Sequence, residues 1–259
     1  MKPAARMSKI HLSILAASFF LAGCAAHSGR DVLYQTSTIQ ALSLGGYDGE
    51  VSLSRLIRHG DFGLGTFRGL DGEMVLLDGK FYQIKADGLA YPLKEAYGIP
   101  FAQVTFFDPD TVFTVDKEMT YAGFRDFFDS IMPSANTFYA VKIKGLFKFM
   151  KTRSVPKQER PYPALDQAVL GQKVFEFRNV RGTIVGWRSP GYSGNFSAAG
   201  CHMHFIDESR LRGGHVLDFV ICEAVVEIDE TSGFYIDLPT RGDFLDFNLG
   251  DSAHTAGAE

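Results

Sequence analysis

The sequence predicts a β-rich α+β protein built from two sheet-based lobes and a few helices. Two observations carry this prediction. Asp-Gly pairs recur between short apolar runs at Asp71-Gly72, Asp78-Gly79 and Asp87-Gly88, and alternating apolar and polar residues fill several longer segments in the second half. Asp-Gly between such runs is typical of hairpin turns, and alternation with period two is typical of strands with one buried face. The length of 259 residues and the hydrophobic content of 46% suffice for a substantial core.

The N-terminal residues have the composition of an export signal. Three basic residues precede an apolar run at residues 10–21, which is too short for a comfortable membrane span. The segment "LAGC" that follows resembles a bacterial lipobox, which implies cleavage before Cys24 and lipidation of its sulfur. We therefore expect a signal peptide at residues 1–23 and a tether at residues 24–35.

The same segment predicts the location and charge of the mature protein. A lipid-modified Cys24 would hold the exported chain on a membrane, and the lack of an aspartate next to it favours the periplasmic side of the outer membrane. Cleavage removes Lys2, Arg6 and Lys9 and no acidic residue, so the formal charge changes from −4 to −7. A chain this acidic is a poor candidate for binding nucleic acid.

Helices are predicted at two places in the first half. Residues 51–59 form an apolar-periodic stretch in which Ser52 can cap the N-terminus and Gly60 can end the helix. Residues 120–132 have Thr120 as a cap and Pro133 beyond the end. Their predicted apolar stripe consists of Phe124, Phe127, Phe128 and Ile131.

The remaining segments are predicted strands, with a proline-rich loop between the two lobes. Strands are expected at "EMVLL", "KFYQIKA", "AQVTFF", "TVFTV", "FYAVKIKGLFKFMKTR", "KVFEFRNVRGTIVGWRS", "CHMHFID", "HVLDFVICEAVVEID" and "FYIDL". Pro156, Pro161 and Pro163 mark the loop, which a short helix at residues 165–170 follows. The lobes are then residues 36–160 and 161–250.

Three of the seven histidines lie in one predicted hairpin of the C-terminal lobe. Side chains alternate along a strand, so His202 and His204 share a face while Cys201 points to the other. His215 opens the returning strand after a Gly-Gly turn and can reach the same place. Three neutral imidazoles with an open fourth position suit a catalytic zinc. A partly exposed hairpin with scattered histidines is the alternative that the spacing alone leaves open.

Four long segments resemble the acetolactate decarboxylase family. They are "RHGDFGLGTFRGLDGEMVLLDGKFYQ", "FYAVKIKGLFKFMKTRSVPKQERPYPAL", "GTIVGWRSPGYSGNFSAAGCHMHFIDESRLRGGHVLDF" and "IDLPTRGDF". The likeness covers residues 36–248 and implies a domain at residues 36–250 followed by a C-terminal tail at residues 251–259. The resemblance implies a carboxy-lyase that converts 2-acetolactate to acetoin and carbon dioxide, the step of acetoin biosynthesis in the butanediol pathway. It is also compatible with a homodimer.

The resemblance assigns roles to particular residues. His202, His204 and His215 match the ligands of one zinc per chain, which acts as a Lewis acid that stabilises an enediolate. Glu73 matches a catalytic glutamate beside the metal, and Arg153 matches a substrate-binding arginine. Thr66 matches a polar contact in the same pocket, and the C-terminal glutamate of the family has Glu259 as its nearest counterpart. These six residues and Glu259 are the predicted site.

Two other functions remain open at this point. An exported zinc-binding lipoprotein without turnover would need the histidines but neither Glu73 nor Arg153. A zinc hydrolase with a metal-bound hydroxide would use the histidines but would give Arg153 no obvious task.

Overall fold

The computed structural model describes residues 31–250. The predicted signal peptide with Cys24, residues 24–30 of the tether and the tail with Glu259 lie outside these residues. Residues 32–35 of the predicted tether belong to a mostly buried strand at Val32–Thr36, so the tether prediction is wrong there. Strands dominate the described chain and helices are few, which confirms the predicted β-rich α+β class. Within residues 31–250, no helix has the length and apolar character that crossing a membrane requires.

Fifteen strands and four short helices follow one another along the chain. The strands are β1 (Val32–Thr36), β2 (Val51–Ser52), β3 (Phe62–Thr66), β4 (Glu73–Leu77), β5 (Lys80–Ile84), β6 (Ala90–Leu93), β7 (Tyr97–Ile99), β8 (Ala102–Thr105), β9 (Thr111–Val115), β10 (Met119–Thr120), β11 (Phe138–Ser154), β12 (Lys173–Ser189), β13 (Gly200–Asp207), β14 (Gly213–Thr231) and β15 (Gly233–Asp237). The helices are α1 (Ile39–Ser43), α2 (Leu53–Leu56), α3 (Tyr121–Ile131) and α4 (Leu165–Ala168), and 3-10 turns lie at Arg68–Leu70, Val169–Gly171, Gly191–Ser193 and Gly242–Leu245.

The first sheet has seven strands in the order β15-β1-β8-β3-β4-β5-β6. β1 and β15 are parallel, and the other neighbours are antiparallel. The β4–β5 hairpin turns at Asp78-Gly79, and both residues have positive φ, 52° and 71°. This is the backbone that a two-residue hairpin requires and that Asp-Gly favours, so the predicted turn is confirmed.

The second sheet is built from three long strands. Its order is β10-β14-β11-β12-β13, and β9 also pairs with β14. The first residues of β14 pair with β13 as well as with β11. At that end of the sheet, β14, β11, β12 and β13 therefore form a closed ring of hydrogen-bonded strands. This closure places residues of β11, β13 and β14 side by side.

The two sheets pack face to face. The residues that form each sheet do not coincide with the two lobes expected at residues 36–160 and 161–250. β9, β10 and β11 belong to the second sheet although they precede residue 160, while β15 returns to the first sheet. A shared core joins the sheets, in which Leu64 and Val75 of the first pack with Trp187 and Ile206 of the second. Turn and strand patterns do not reveal which sheet a strand joins, because long-range pairing decides it.

The predicted helices are present but shorter or less buried than expected. Ser52 caps α2 by accepting a hydrogen bond from the Arg55 amide, yet the helix ends at Leu56 and not at residue 59. Thr120 caps α3 by accepting from the Gly123 amide. The predicted stripe of α3 is only half right, since Phe124 and Phe128 are buried while Ile131 at the end of the helix is 38% exposed. Phe127 is partly buried, with its ring centroid 5.3 Å from that of Phe113 on β9.

Candidate metal centre and active site

The three predicted histidines converge at the closed end of the second sheet. His202 and His204 lie two residues apart on β13, and His215 on β14 is paired with His204 across the ladder. One ligand atom from each side chain lies within 4.8 Å of the others. The ring centroids are 5.1 Å to 5.4 Å apart. A single ion can therefore be bound by all three imidazoles.

Arg153 lies in the same row of residues across the sheet. His215 pairs with Arg153 of β11 on one side and with His204 of β13 on the other. Paired residues in antiparallel strands point to the same face, so Arg153, His215 and His204 form one cross-strand row. Strand pairing thus brings a cation next to the histidines although about 50 residues separate them in the sequence.

One hydrogen bond fixes the tautomer of His204. Its Nδ1 lies 2.7 Å from the Met74 carbonyl oxygen, which can only accept, so Nδ1 carries the proton and donates it. Nε2 is then the free lone pair, and it is buried without a hydrogen-bond partner among the described residues. An orphaned buried acceptor aimed at two other imidazoles fits a metal ion, and the backbone contact is the usual support for such a ligand.

Burial keeps the imidazoles in the neutral form that binds metals. Burial, together with the positive charge of Arg153, lowers the pKa of His204 to about 4, although the hydrogen bond to the Met74 carbonyl acts in the other direction. Burial and neighbouring positive charge also hold the pKa values of His202 and His215 well below the usual range. Metal binding at neutral pH therefore has no proton to displace from these rings.

Cys201 is not part of this group within residues 31–250. It alternates with His202 on β13 and packs against the apolar core of the second sheet. Burial raises the pKa of its thiol to about 11, so it stays protonated. Cys201 and Cys222 are both free and half-buried. The predicted strand alternation, which directs Cys201 away from the histidine face, is therefore confirmed.

Glu73 comes from the first sheet and closes the site from the opposite side. It begins β4, directly before Met74, and its Oε2 lies 3.4 Å from Nε2 of His204. Burial raises the pKa of its carboxyl to about 7, and the positive charge of Arg153 opposes this rise. A carboxyl with a pKa near 7 can both accept and donate a proton at neutral pH.

The guanidinium of Arg153 is held in place and partly unpaired. The residue is 8% exposed, and its Nη1 donates to Oε1 of Gln172 over 3.2 Å. Its Nε is buried and has no partner among the described residues. Burial lowers its pKa from the usual value, with the Glu73 carboxylate acting in the other direction. An arginine remains charged under such shifts, so this one offers free donors to an anion.

Thr66 lies at the end of β3 opposite Glu73, so the two side chains face the same pocket. Its hydroxyl donates to the Gly72 carbonyl oxygen over 2.7 Å. The proton of Thr66 is therefore already used, and only a lone pair remains for a ligand. Thr66 can accept a hydrogen bond from a substrate hydroxyl, which is a narrower role than a general polar contact.

One small cavity of about 50 Å³ is lined by the three histidines together with Glu73, Arg153 and Thr66. The rest of its wall is apolar and comes from Ile39, Leu42, Gly65, Leu70, Phe101, Val155, Leu165 and Val169. The cavity thus combines imidazoles, a carboxyl and a guanidinium at one end with aliphatic side chains around them. Such a cavity fits a small anion that carries methyl groups.

Sequence reasoning missed the apolar wall and Gln172. The wall residues come from α1, α4, β3, two 3-10 turns and loops, and nothing in their local pattern distinguishes them from core residues. Gln172 follows the predicted short helix, and an isolated glutamine has no motif. Its contact with Arg153 depends on the register of β11 against β12, which only the folded chain shows.

Comparison with known proteins identifies the family of this site. A family model described as alpha-acetolactate decarboxylase matches residues 33–251. The chain belongs to the alpha-acetolactate decarboxylase family. It is 50% identical over 227 residues to an alpha-acetolactate decarboxylase of Methanosarcina mazei, which covers 88% of this chain and 79% of that protein. An alpha-acetolactate decarboxylase of Methylococcus capsulatus is 45% identical over 86% of this chain and 85% of its own length.

The family fold is also present in solved structures. The crystal structure of alpha-acetolactate decarboxylase from Bacillus subtilis superimposes on this chain with a TM-score of 0.83 at 44% identity, covering 85% of this chain and 94% of that one. The resemblance predicted from the four sequence segments is therefore confirmed, and the chain is a carboxy-lyase of this family.

Proposed function

We propose that this protein decarboxylates 2-acetolactate to acetoin and carbon dioxide with a divalent metal ion, zinc in our expectation, bound by His202, His204 and His215. The observation that carries the proposal is the cross-strand row, which places an arginine with free donors beside three neutral imidazoles. This combination suits a substrate that has both a carboxylate and chelating oxygens. A metal-storage protein needs no such arginine.

The three histidines would hold one ion per chain. Their donor chemistry fits zinc, since three imidazoles with an open position are typical of catalytic zinc sites. When bound, the ion would act as a Lewis acid that stabilises negative charge developing on the substrate oxygen atoms. The protein residues around it supply orientation and protons.

Arg153 would bind and orient the substrate carboxylate. A guanidinium presents parallel donors that match the two carboxylate oxygens, and its unpaired Nε is free to make one of these bonds. The methyl groups of the substrate would then face the aliphatic wall, where Phe101 and Val155 exclude water. Thr66 would accept a hydrogen bond from the substrate hydroxyl.

The reaction needs one proton at the carbon that loses carbon dioxide. When that bond breaks, the electron pair stays on the substrate and is delocalised onto the neighbouring ketone oxygen, so no organic cofactor is required. A general acid must then protonate the carbon. Glu73 is a suitable donor because its carboxyl lies 3.4 Å from Nε2 of His204 at the metal site, and its burial favours the protonated form.

Glu259 is a second proposed acid, and the course of the described chain supports this. The ring of Phe247 lies against Gly46, just beyond α1, and Ile39 and Leu42 of α1 line the pocket. The nine residues after residue 250 could span about 30 Å when extended. We propose that Glu259 reaches the cavity from the point where the described chain ends.

Export and lipidation of Cys24 are proposed on the sequence "LAGC". A protein held by its lipid on the periplasmic side of the outer membrane would partition into the membrane fraction. Cys24→Ser would release it, and a Cys24 variant that stays membrane-bound would refute the anchor.

A homodimer is proposed from family likeness, and light scattering of residues 25–259 would test it.

An assay of acetoin formation tests the catalytic proposal. Purified residues 25–259 would be mixed with racemic 2-acetolactate and followed against the spontaneous reaction, before and after removal of metal by a chelator. We expect acetoin above background only with metal present. Metal binding without acetoin would instead support the zinc-binding lipoprotein, and hydrolysis of a test ester without acetoin would support the zinc hydrolase.

A further inference from the structure

We propose that Gln172 is a positioning residue that orients Arg153 for the substrate carboxylate. This inference rests on the proposed decarboxylation of 2-acetolactate and adds a residue to its binding machinery. The contact that carries it is the hydrogen bond of 3.2 Å from Nη1 of Arg153 to Oε1 of Gln172. It is the one hydrogen bond recorded for this guanidinium within residues 31–250.

Strand register explains why these two side chains meet. Val174 pairs with Arg153 across the β11–β12 ladder, so their side chains share a face. Gln172 precedes Val174 by two residues and lies diagonal to Arg153 at the start of β12. Its backbone amide donates to the carbonyl of Val169, the first residue of the 3-10 turn, and this bond fixes the point from which the side chain extends.

The chemistry of the pair fixes its orientation. Arginine has donors and no acceptor, so Gln172 must present its carbonyl oxygen to the guanidinium. That bond uses an Nη1 proton and leaves the Nε edge free. Nε is buried and has no other partner among the described residues, so it is available for an anion in the cavity.

Fixing the arginine in advance improves binding of the carboxylate. A free arginine side chain populates many rotamers, and its ordering opposes ligand binding. Arg153 has no carboxylate ion-pair partner among residues 31–250 that could order it instead. Glu73 acts on Arg153 only through charge at longer range. The neutral acceptor of Gln172 orders the guanidinium without adding a negative charge that would compensate it.

The test compares two ligands that the enzyme does not decarboxylate, one with the carboxylate of the substrate and one without it. 2-Hydroxy-2-methylpropanoate has the hydroxyl and carboxylate of the substrate but no ketone, while acetoin has the ketone and hydroxyl but no carboxylate. In Gln172→Met, which keeps the size of the side chain but removes the acceptor, we expect the inhibition constant of 2-hydroxy-2-methylpropanoate to rise about tenfold. That of acetoin should stay within twofold of wild type, and KM should rise with little change in kcat.

Two controls separate positioning from a general structural effect. Gln167→Met changes an exposed glutamine on α4 whose side chain donates a hydrogen bond to Asp166, away from Arg153, and it should leave both inhibition constants unchanged. In an Arg153→Met background, adding Gln172→Met should change neither constant further, because the glutamine acts through the arginine.

Several outcomes would overturn the inference. Equal weakening of both inhibitors would show that Gln172 only maintains the cavity, and unchanged binding of 2-hydroxy-2-methylpropanoate would show that Arg153 needs no such support. An additive effect in the Arg153→Met background would also contradict it. The proposed function fails separately, if wild-type protein forms no acetoin while binding of the hydroxy acid is still measurable by calorimetry.

Discussion

Oε2 of Glu73 lies 3.4 Å from Nε2 of His204, although the two residues belong to different sheets. The adjacent residue, Met74, accepts a hydrogen bond from the other nitrogen of the same imidazole. The start of β4 therefore both fixes the tautomer of His204 and delivers a carboxyl to its free nitrogen. Packing of one sheet on the other completes a site that neither sheet contains alone.

Glu73→Gln tests the carboxyl. We expect kcat for acetoin formation to fall about a hundredfold with little change in KM, because the amide keeps the shape but cannot transfer a proton. Steady-state kinetics and metal analysis on the same samples would check this. Glu176→Gln, which changes an exposed glutamate on β12, is the matched control. A Glu73→Gln protein with wild-type kcat would leave Glu259 as the acid.

His215→Gln tests the ligand set. We expect loss of the bound metal together with loss of activity, because two imidazoles hold zinc much less tightly than three. Metal content per chain, measured by mass spectrometry of the purified protein, is the readout. His59→Gln is the control, since His59 stacks on Tyr34 with ring centroids 3.9 Å apart and is not in the histidine cluster. Full metal content in His215→Gln would contradict the assignment.

Arg153→Lys tests carboxylate recognition. Lysine keeps the charge but loses the parallel donors, so we expect KM for 2-acetolactate to rise on the order of tenfold or more. Metal content should stay at the wild-type level. If KM is unchanged in Arg153→Lys, charge alone is sufficient and the forked geometry of the guanidinium is not used.

Asp229 provides a prediction about stability and pH that is independent of the active site. It is 1% exposed on β14, and one of its carboxylate oxygens has no hydrogen-bond partner among the described residues. Burial, reinforced by the negative charges of Asp110, Asp31 and Asp108, raises its pKa from 3.8 to about 7. The folded chain therefore keeps a proton on Asp229 that the unfolded chain releases near pH 4. The contribution of Asp229 to the free energy of unfolding is largest below pH 4 and declines as the pH rises from 4 to 7.

Asp229→Asn should remove this dependence. At pH 8 we expect the variant to have a free energy of unfolding higher by on the order of 2 kcal/mol, because no buried charge remains. At pH 3 the two proteins should be similar, since Asp229 is then protonated in both the folded and the unfolded wild type. Denaturant unfolding at both pH values is the measurement, with the exposed Asp116→Asn as control. Equal stability at pH 8 would mean that the carboxylate is solvated.

Local patterns were sufficient to predict the longer strands, the Asp78-Gly79 turn and the capped starts of α2 and α3, but they did not predict α1 or the short strands β1, β2, β3, β6, β7 and β10. Asp78-Gly79, Ser52 and Thr120 each act within a few residues of their own position, so their roles are visible in the sequence. Strand alternation likewise predicted that His202 and His204 share a face and that Cys201 does not. The family resemblance added Glu73, Arg153 and Thr66, which no local pattern singles out.

Pairing between distant strands could not be predicted in the same way. The assignment of β11 to the second sheet, and the row that joins Arg153 to His215 and His204, depend on cross-strand register. Register follows from how apolar faces of the whole chain pack together, and a short sequence window contains too little of that information. For the same reason Gln172 and the apolar wall emerged only from the folded structure.

A metal titration of the apo protein tests the central claim most directly. Residues 25–259, stripped of metal, would be titrated with zinc while bound metal and the rate of acetoin formation are measured in the same samples. We predict that both rise together and reach a break at one ion per chain. Acetoin formed at the full rate without metal, or zinc bound at one per chain without acetoin, would contradict the account.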